Sequence, residues 1–387
     1  MANIFDYIKW RGDLSLSKDK FNEIDNLILA RFSYFPFDEI IKENEVVTIK
    51  ELNERFQEKD IDKLPIFWED DVNLFPAMGQ SKRFGEMQVT KYENKISAEQ
   101  EKQFSAITVI MPDDTIYVSY RGTDNTVIGW KEDLNMTFKS HIPSQIEAVK
   151  YLEEVASQYS NKLRVGGHSK GGNLAVYASI FANQEVRNRI INIYNNDGPG
   201  FNDEIIKMQE YKEMIEKVNT YIPQDSIFGR LLNHEEKYTV VKSTERGVMQ
   251  HDLYSWQLLG KQFVYLKEVT NGSKFIDKSI KDWLEQIEIE KREQVIDIIF
   301  QIINQTEAET LSDIKTHWFL NAKTLLNSYK HVDAENKRMI LETLSALFKI
   351  VKDNFFEEYR RSGLQLSQDG SVNGINELSK GVGKEKR

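Results

Sequence analysis

Between residues 104 and 266 the apolar positions fall into short runs separated by helix-spaced stretches. Ser105 to Met111 reads as a strand, Asp113-Asp114 as a turn, and Thr115 to Tyr120 as the second strand of a hairpin. In residues 144–160, Ile146, Val149, Leu152, Val155 and Ala156 recur at helical spacing. The runs Leu163 to Val165, Ile190 to Tyr194, Val218 to Ile222, Lys237 to Val241 and Gln262 to Leu266 predict further strands, and Asn173 to Phe181 predicts a helix. Strands alternating with helices predict an α/β fold with a mostly parallel central sheet.

The flanks differ. Residues 3–60 read as helical and amphipathic, and Pro65, Pro76 and Gly79 break the segment after them. Strand signals stop near Asn271. Residues 277–305, 310–332 and 334–361 each predict a long helix. Val295, Ile296, Ile298, Ile299, Ile302 and Ile303 form one apolar stripe; Ile340, Leu341, Leu344, Leu347, Phe348, Val351 and Phe355 form another. Such stripes are expected to pack as core. From Gly363 the chain turns polar and glycine-rich and reads as disordered. The expected organisation is an N-terminal helical region (1–75), an α/β core (76–270), a C-terminal helical region packed on it (271–362) and a tail (363–387).

Composition narrows the function classes. The 387 residues include no cysteine, which removes disulfides and thiolate metal sites. A formal net charge of -10 ranks nucleic-acid binding low. Neither an N-terminal signal pattern nor an apolar run of membrane-spanning length is legible, so a cytoplasmic protein without an integral membrane segment is expected. The histidines are scattered without metal-ligand spacing, and no phosphate-binding or dinucleotide glycine pattern occurs, so neither metal nor cofactor is implied.

The stretch Gly167-His168-Ser169-Lys170-Gly171 is a G-x-S-x-G pentapeptide between a predicted strand and a predicted helix. That context is required of a nucleophile elbow, where glycines on both sides of the serine remove Cβ atoms that would clash. Ser169 would stand at a helix N-terminus, which favours developing negative charge. The backbone N–H of Lys170, the residue after the nucleophile, would supply one oxyanion donor.

A serine hydroxyl needs a histidine base, and the histidine needs a carboxylate to hold its tautomer. Reactive groups gather at the carboxyl ends of strands in an open α/β sheet. Asp197 and Asp225 end the two predicted strands after the elbow; His234 and His251 follow. The chain order serine, acid, histidine is satisfied by Ser169–Asp225–His251, with Asp197 the alternative acid and His234 the alternative base. The side chain of His168 should point away from the serine, and His141, His317 and His331 read as surface or packing residues.

Tyr120-Arg121-Gly122-Thr123-Asp124, followed by Trp130-Lys131-Glu132-Asp133-Leu134, resembles the F-R-G-T/S … W … D-L block of class 3 lipases. The resemblance implies that Thr123 helps build the oxyanion hole. It continues through Asp197-Gly198-Pro199-Gly200-Phe201 and His251-Asp252-Leu253-Tyr254, with Asp225 matching the family's acid, and covers about residues 100–260. The elbow together with Gln103-Phe-Ser-Ala-Ile-Thr is more similar still to a lipase-like family of unassigned function found mainly in Firmicutes, over about residues 1–360. An α/β-hydrolase with N-terminal helices and a C-terminal helical extension is thus implied. The implied activity is a serine esterase or lipase, with phospholipids or other acyl esters as candidate substrates. A binding protein on a hydrolase fold, using its C-terminal helices, is the alternative.

Two departures from the lipase pattern stand out. Lys170 replaces the apolar residue usual after the nucleophile; its ammonium is expected either to meet an anionic substrate group at the site mouth or to point into solvent. The segment Asp124–Lys131 also lacks the apolar character of an interfacial lid. Arg121 is expected to form a structural pair with Asp133.

Overall fold

The computed structural model describes residues 2–274 apart from 39, 43, 44, 61–63, 67 and 125, and beyond these 277, 278, 281, 292, 293 and 297. The three long C-terminal helices and the tail expected from the sequence therefore lie almost wholly outside the described residues.

Among those residues, nine strands form one mixed sheet in the order β1-β2-β3-β4-β5-β6-β7-β8-β11. The strands are β1 (Val47–Thr48), β2 (Gln88–Ser97), β3 (Lys102–Ile110), β4 (Thr115–Tyr120), β5 (Lys162–His168), β6 (Ile190–Asn196), β7 (Val218–Pro223), β8 (Tyr238–Val241), β9 (Leu258–Leu259), β10 (Gln262–Phe263) and β11 (Tyr265–Leu266). From β4 to β8 every neighbour is parallel. The β3–β4 hairpin is antiparallel, as the pattern predicts. The expected strand Gln262–Leu266 divides instead. β10 pairs back onto β9, and β11 pairs onto β8. Between them Val264 donates its N–H to the Gln257 carbonyl.

The helices that frame the sheet include α1 (Ile4–Arg11), α2 (Glu23–Phe32), α3 (Ile49–Gln57), α4 (Asp71–Gln80), α5 (Val127–Asn135), α6 (Pro143–Gln158) and α7 (Lys170–Phe181). β4 is buried along its whole length, and its alternate side chains enter different layers. Ile116, Val118 and Tyr120 pack with Leu152, Val155 and Leu174 from α6 and α7. Tyr117 packs with Leu27, Ile28 and the other N-terminal helices. The N-terminal helices thus close the second face of the sheet, and the strand buried on both faces is mostly apolar, its Ser119 hydroxyl being satisfied by the Leu29 carbonyl on α2 at 2.9 Å.

Pro76 and Gly79, expected to interrupt the chain, lie inside α4. Close approach of two helices accounts for the glycine: a Cβ there would come within 2.7 Å of Asn53 Cβ on α3.

β2 is absent from the sequence expectations. Its residues alternate weakly and carry Lys91, Glu93 and Lys95, whose charges pair across the exposed face with one another and with Glu147 and Glu154.

Candidate active site

The elbow takes the geometry that its glycines permit. Ser169 has φ 57° and ψ -134°, a left-handed conformation costly for any residue with a Cβ. A Cβ on Gly167 would meet the Gly171 backbone at 2.4 Å, and one on Gly171 would meet the Tyr120 carbonyl oxygen at 2.1 Å. The strand, the turn and α7 can approach this closely only with glycine at both positions. Ser169 is half-buried at the N-terminus of α7.

Neighbouring strand ends converge on it. In the β5–β6 register His168 stands beside Asn196, and the Ser169 N–H donates to the Asn196 carbonyl at 2.9 Å. The next residue is Asp197, itself at φ 53° and buried. Its loop is held firmly. Asn173 Nδ2 on α7 donates to the carbonyls of Pro199 and Gly200, and the Gly198 N–H donates to Asn195 Oδ1. On the other side, a Cβ on Gly122 would lie 3.0 Å from Ser169 Cβ, so the Arg121–Thr123 strand end abuts the serine.

His251 reaches this cluster from the loop after β8. Its Nδ1 lies 2.6 Å from Asp197 Oδ2. Asp197 Oδ1 accepts from Ser226 Oγ at 2.5 Å and from the Gly229 N–H at 3.1 Å. The pairing fixes Nδ1–H as the donor and leaves Nε2 as the proton acceptor. The Phe228 ring packs against the imidazole with centroids 4.4 Å apart.

Asp225, the first-ranked acid from the sequence, is not the partner of His251. Its Oδ2 accepts from Gln250 Nε2 at 2.8 Å and the Gly247 N–H at 3.2 Å, and its Oδ1 from Thr270 Oγ1 at 2.5 Å. Asp225 thereby anchors the loop that carries His251. The distinction is one of position: β6 lies directly beside the elbow strand and β7 one strand further out. The alternative base is engaged elsewhere, His234 Nδ1 lying 2.9 Å from Glu236 Oε1. His141 packs on Tyr177, as a packing residue would. His317 and His331 lie outside the described residues.

The His168 ring packs against that of His251, centroids 4.3 Å apart, and it has a task of its own. Its Nε2 donates to the His251 backbone carbonyl at 2.9 Å, while Nδ1 accepts from the Tyr34 hydroxyl at 3.0 Å. Burial, reinforced by His251 and Arg31 nearby, pushes its pKa well below the usual histidine range, so the ring stays neutral. Tyr34 in turn lies under the Arg31 guanidinium, which is paired with buried Asp71. Nothing in the pentapeptide itself signals this link to α2 and α4.

Both expectations for the Lys170 side chain are corrected. It reaches neither the site mouth nor solvent but is fully buried. Its Nζ donates to Glu132 Oε2 at 2.9 Å and to the Gln103 carbonyl and side-chain oxygens at 3.0 and 2.7 Å. A buried ammonium is tolerated because all three of its protons are used. Thr123 Oγ1 donates to Asp133 Oδ2 at 2.5 Å, leaving the backbone N–H as the donor Thr123 can offer the site. Burial raises the Asp133 carboxyl to about 6 against the opposing pull of Lys170 and the Thr123 hydroxyl. Arg121 pairs with Asp124 at 3.2 Å rather than with Asp133.

This chain belongs to the Mbeg1-like family, whose match spans residues 78–301. That span contains every residue of the cluster except the N-terminal supports Arg31, Tyr34 and Asp71. No curated protein matches the chain. Among solved structures, the chain is similar to the Rhizomucor miehei lipase in its propeptide complex, at 17% identity and TM-score 0.32, covering 42% of this chain and 58% of that one. It thus spans less than two thirds of that lipase. Lipase II from Rhizopus niveus is similar at 14% identity and TM-score 0.36, with 53% of this chain and 78% of that one covered.

Proposed function

We propose that the protein is a serine hydrolase of the α/β-hydrolase type that cleaves carboxylic esters through an acyl-enzyme. The observation that carries this reading is the His251–Asp197 pair, 2.6 Å apart, at the strand end where the Asn196 carbonyl accepts from the N–H of a serine held at φ 57° on an elbow. Strain of this kind persists only where the surroundings enforce it, and it gathers at functional sites.

In the proposed reaction Ser169 Oγ attacks the ester carbonyl carbon while His251 Nε2 takes its proton. Asp197 holds the imidazole tautomer and stabilises the imidazolium. The backbone N–H groups of Lys170 and Thr123 meet the oxyanion. His251 returns the proton to the departing alcohol, leaving an acyl group on Ser169. Water then attacks the acyl carbon, giving up its proton to His251, and the free acid leaves as Ser169 recovers its own. Small acyl esters or lipids are the substrate class that this machinery takes, with no cofactor.

Labelling by a fluorophosphonate probe tests the reading, because only an activated serine reacts. Wild-type protein should label and Ser169→Ala should not. Absence of wild-type labelling, with no turnover of short-chain nitrophenyl esters, would refute it.

A further inference from the structure

We infer that the Lys170 side chain is a positioning residue for the oxyanion site, tying the residue that follows Ser169 to the helix that holds Thr123. The inference rests on the serine-hydrolase reading and adds to it a device for aligning the two oxyanion donors.

The two donors come from different parts of the chain. One is the first N–H of α7, at Lys170; the other lies at Thr123, beyond the end of β4. An oxyanion hole works only if both are aimed at one point before the charge forms. Thr123 stands on an open segment, and its side chain is secured by Asp133 on α5. Whether Thr123 stays aligned with Lys170 therefore depends on what fixes α5.

Lys170 itself does so. Its Nζ holds Glu132, the neighbour of Asp133 on α5, and lies 3.8 Å from Asp133 Oδ1. Glu132, with no exposed side-chain surface, accepts in addition from the Gln103 N–H on β3 at 3.0 Å and from the Ser144 N–H in the first turn of α6 at 2.8 Å. Gln103, which completes the ammonium's shell, also directs Nε2 toward the Gly122 carbonyl at 3.5 Å. A closed ring results: Lys170 backbone, Lys170 ammonium, Glu132 and Asp133, Thr123, and back to the serine through Gly122. An apolar residue after Ser169 would supply the same backbone N–H but could not close this ring.

The test removes the tie while keeping the N–H. Lys170→Met alone leaves Glu132 charged and buried without its cation, so its folding is at risk. The double variant Lys170→Met/Glu132→Gln removes both charges and is the variant to assay. Expected are a native melting transition, a kcat for a nitrophenyl ester lowered about tenfold and an unchanged KM. That loss is smaller than the 10²–10³ for deleting a donor outright. The Ki of a trifluoromethyl ketone, whose hemiketal oxygen occupies the hole, should rise by the same factor as kcat falls. A lysine that only stabilised the fold would shift the melting temperature and leave both constants alone. Should the double variant not fold, Thr123→Val, which keeps the backbone N–H and the Lys170–Glu132 pair and removes only the hydroxyl held by Asp133, breaks the same ring and carries the test. Wild-type kcat and Ki in a folded variant would overturn the inference while labelling of the wild type upholds the hydrolase reading. A wild type that neither labels nor turns over ester would refute both.

Discussion

Asp197 Oδ2 meets His251 Nδ1 at 2.6 Å, although 54 residues separate them and a second aspartate at a strand end lies nearer His251 in sequence. Asp197→Asn should therefore lower kcat by about 10⁴, the effect of a histidine held in the wrong tautomer. Asp225→Asn should cost less than about tenfold in activity and show itself in stability, since the bonds it weakens are those to Gln250, Gly247 and Thr270, each worth about 1 kcal/mol. Steady-state kinetics and thermal melts of the two variants separate these roles. The reverse ranking would mean that the pair does not act as proposed.

Ser169 bears the backbone strain of the elbow. Replacement by alanine should abolish labelling and hydrolysis and leave the strain in place. Replacement by glycine should be equally inactive yet more stable than the alanine variant by about 1 kcal/mol, because glycine adopts φ 57° without penalty. Chemical denaturation of both variants measures the difference; equal stabilities would show the elbow to be relaxed.

His168 predicts a pH signature of stability. In the folded state burial depresses its pKa well below 6.5, whereas the unfolded chain takes up the proton near 6.5. Below that pH the unfolded state binds more protons, so stability is fully present above 6.5 and is lost as pH falls. His168→Gln, whose amide can still donate toward the His251 carbonyl, should flatten this slope by up to about 1.4 kcal/mol per pH unit. Urea unfolding at pH 7.5 and pH 5.5 reads the effect, and identical slopes in the two proteins would contradict the assignment.

Tyr34 offers a milder test of the same link. Tyr34→Phe removes the hydroxyl 3.0 Å from His168 Nδ1 and leaves that nitrogen buried without a donor. The expected cost is about 1–3 kcal/mol of stability. Because His168 Nε2 keeps its bond to the His251 carbonyl, ester turnover at saturating substrate should stay within about threefold of wild type, given the modest net worth of one neutral hydrogen bond. A large loss of kcat in a fully folded variant would show that Tyr34 takes part in the chemistry.

What the sequence disclosed follows the range of the interactions. The elbow was legible because its logic is local: two glycines, a serine, a strand before and a helix after. The β3–β4 hairpin and α6 were legible from periodicity. The choice between Asp197 and Asp225 was not, since both end strands and both satisfy the chain order. What separates them is adjacency in the sheet, and the one local hint was an aspartate immediately before glycine, where a left-handed backbone is tolerated. The fate of Lys170 was hidden for another reason. Its acceptor Glu132 is 38 residues away on α5, and no local pattern marks a lysine as buried. β2 escaped because an exposed edge region lets charges occupy positions where a two-fold apolar alternation would otherwise be required.

The bond between Asn26 Nδ2 on α2 and Asn196 Oδ1, beside Asp197, spans 170 residues, and the Glu23 carboxylate that accepts from the Phe263 N–H spans 240. Made well before β6 and β10, α1 and α2 thus wait for those strands before their buried faces have partners. Closing loops of that length is slow, and apolar surface stays open meanwhile. Synthesis of this chain should consequently depend on chaperones that shield α1 and α2, and its yield should fall when translation outpaces folding.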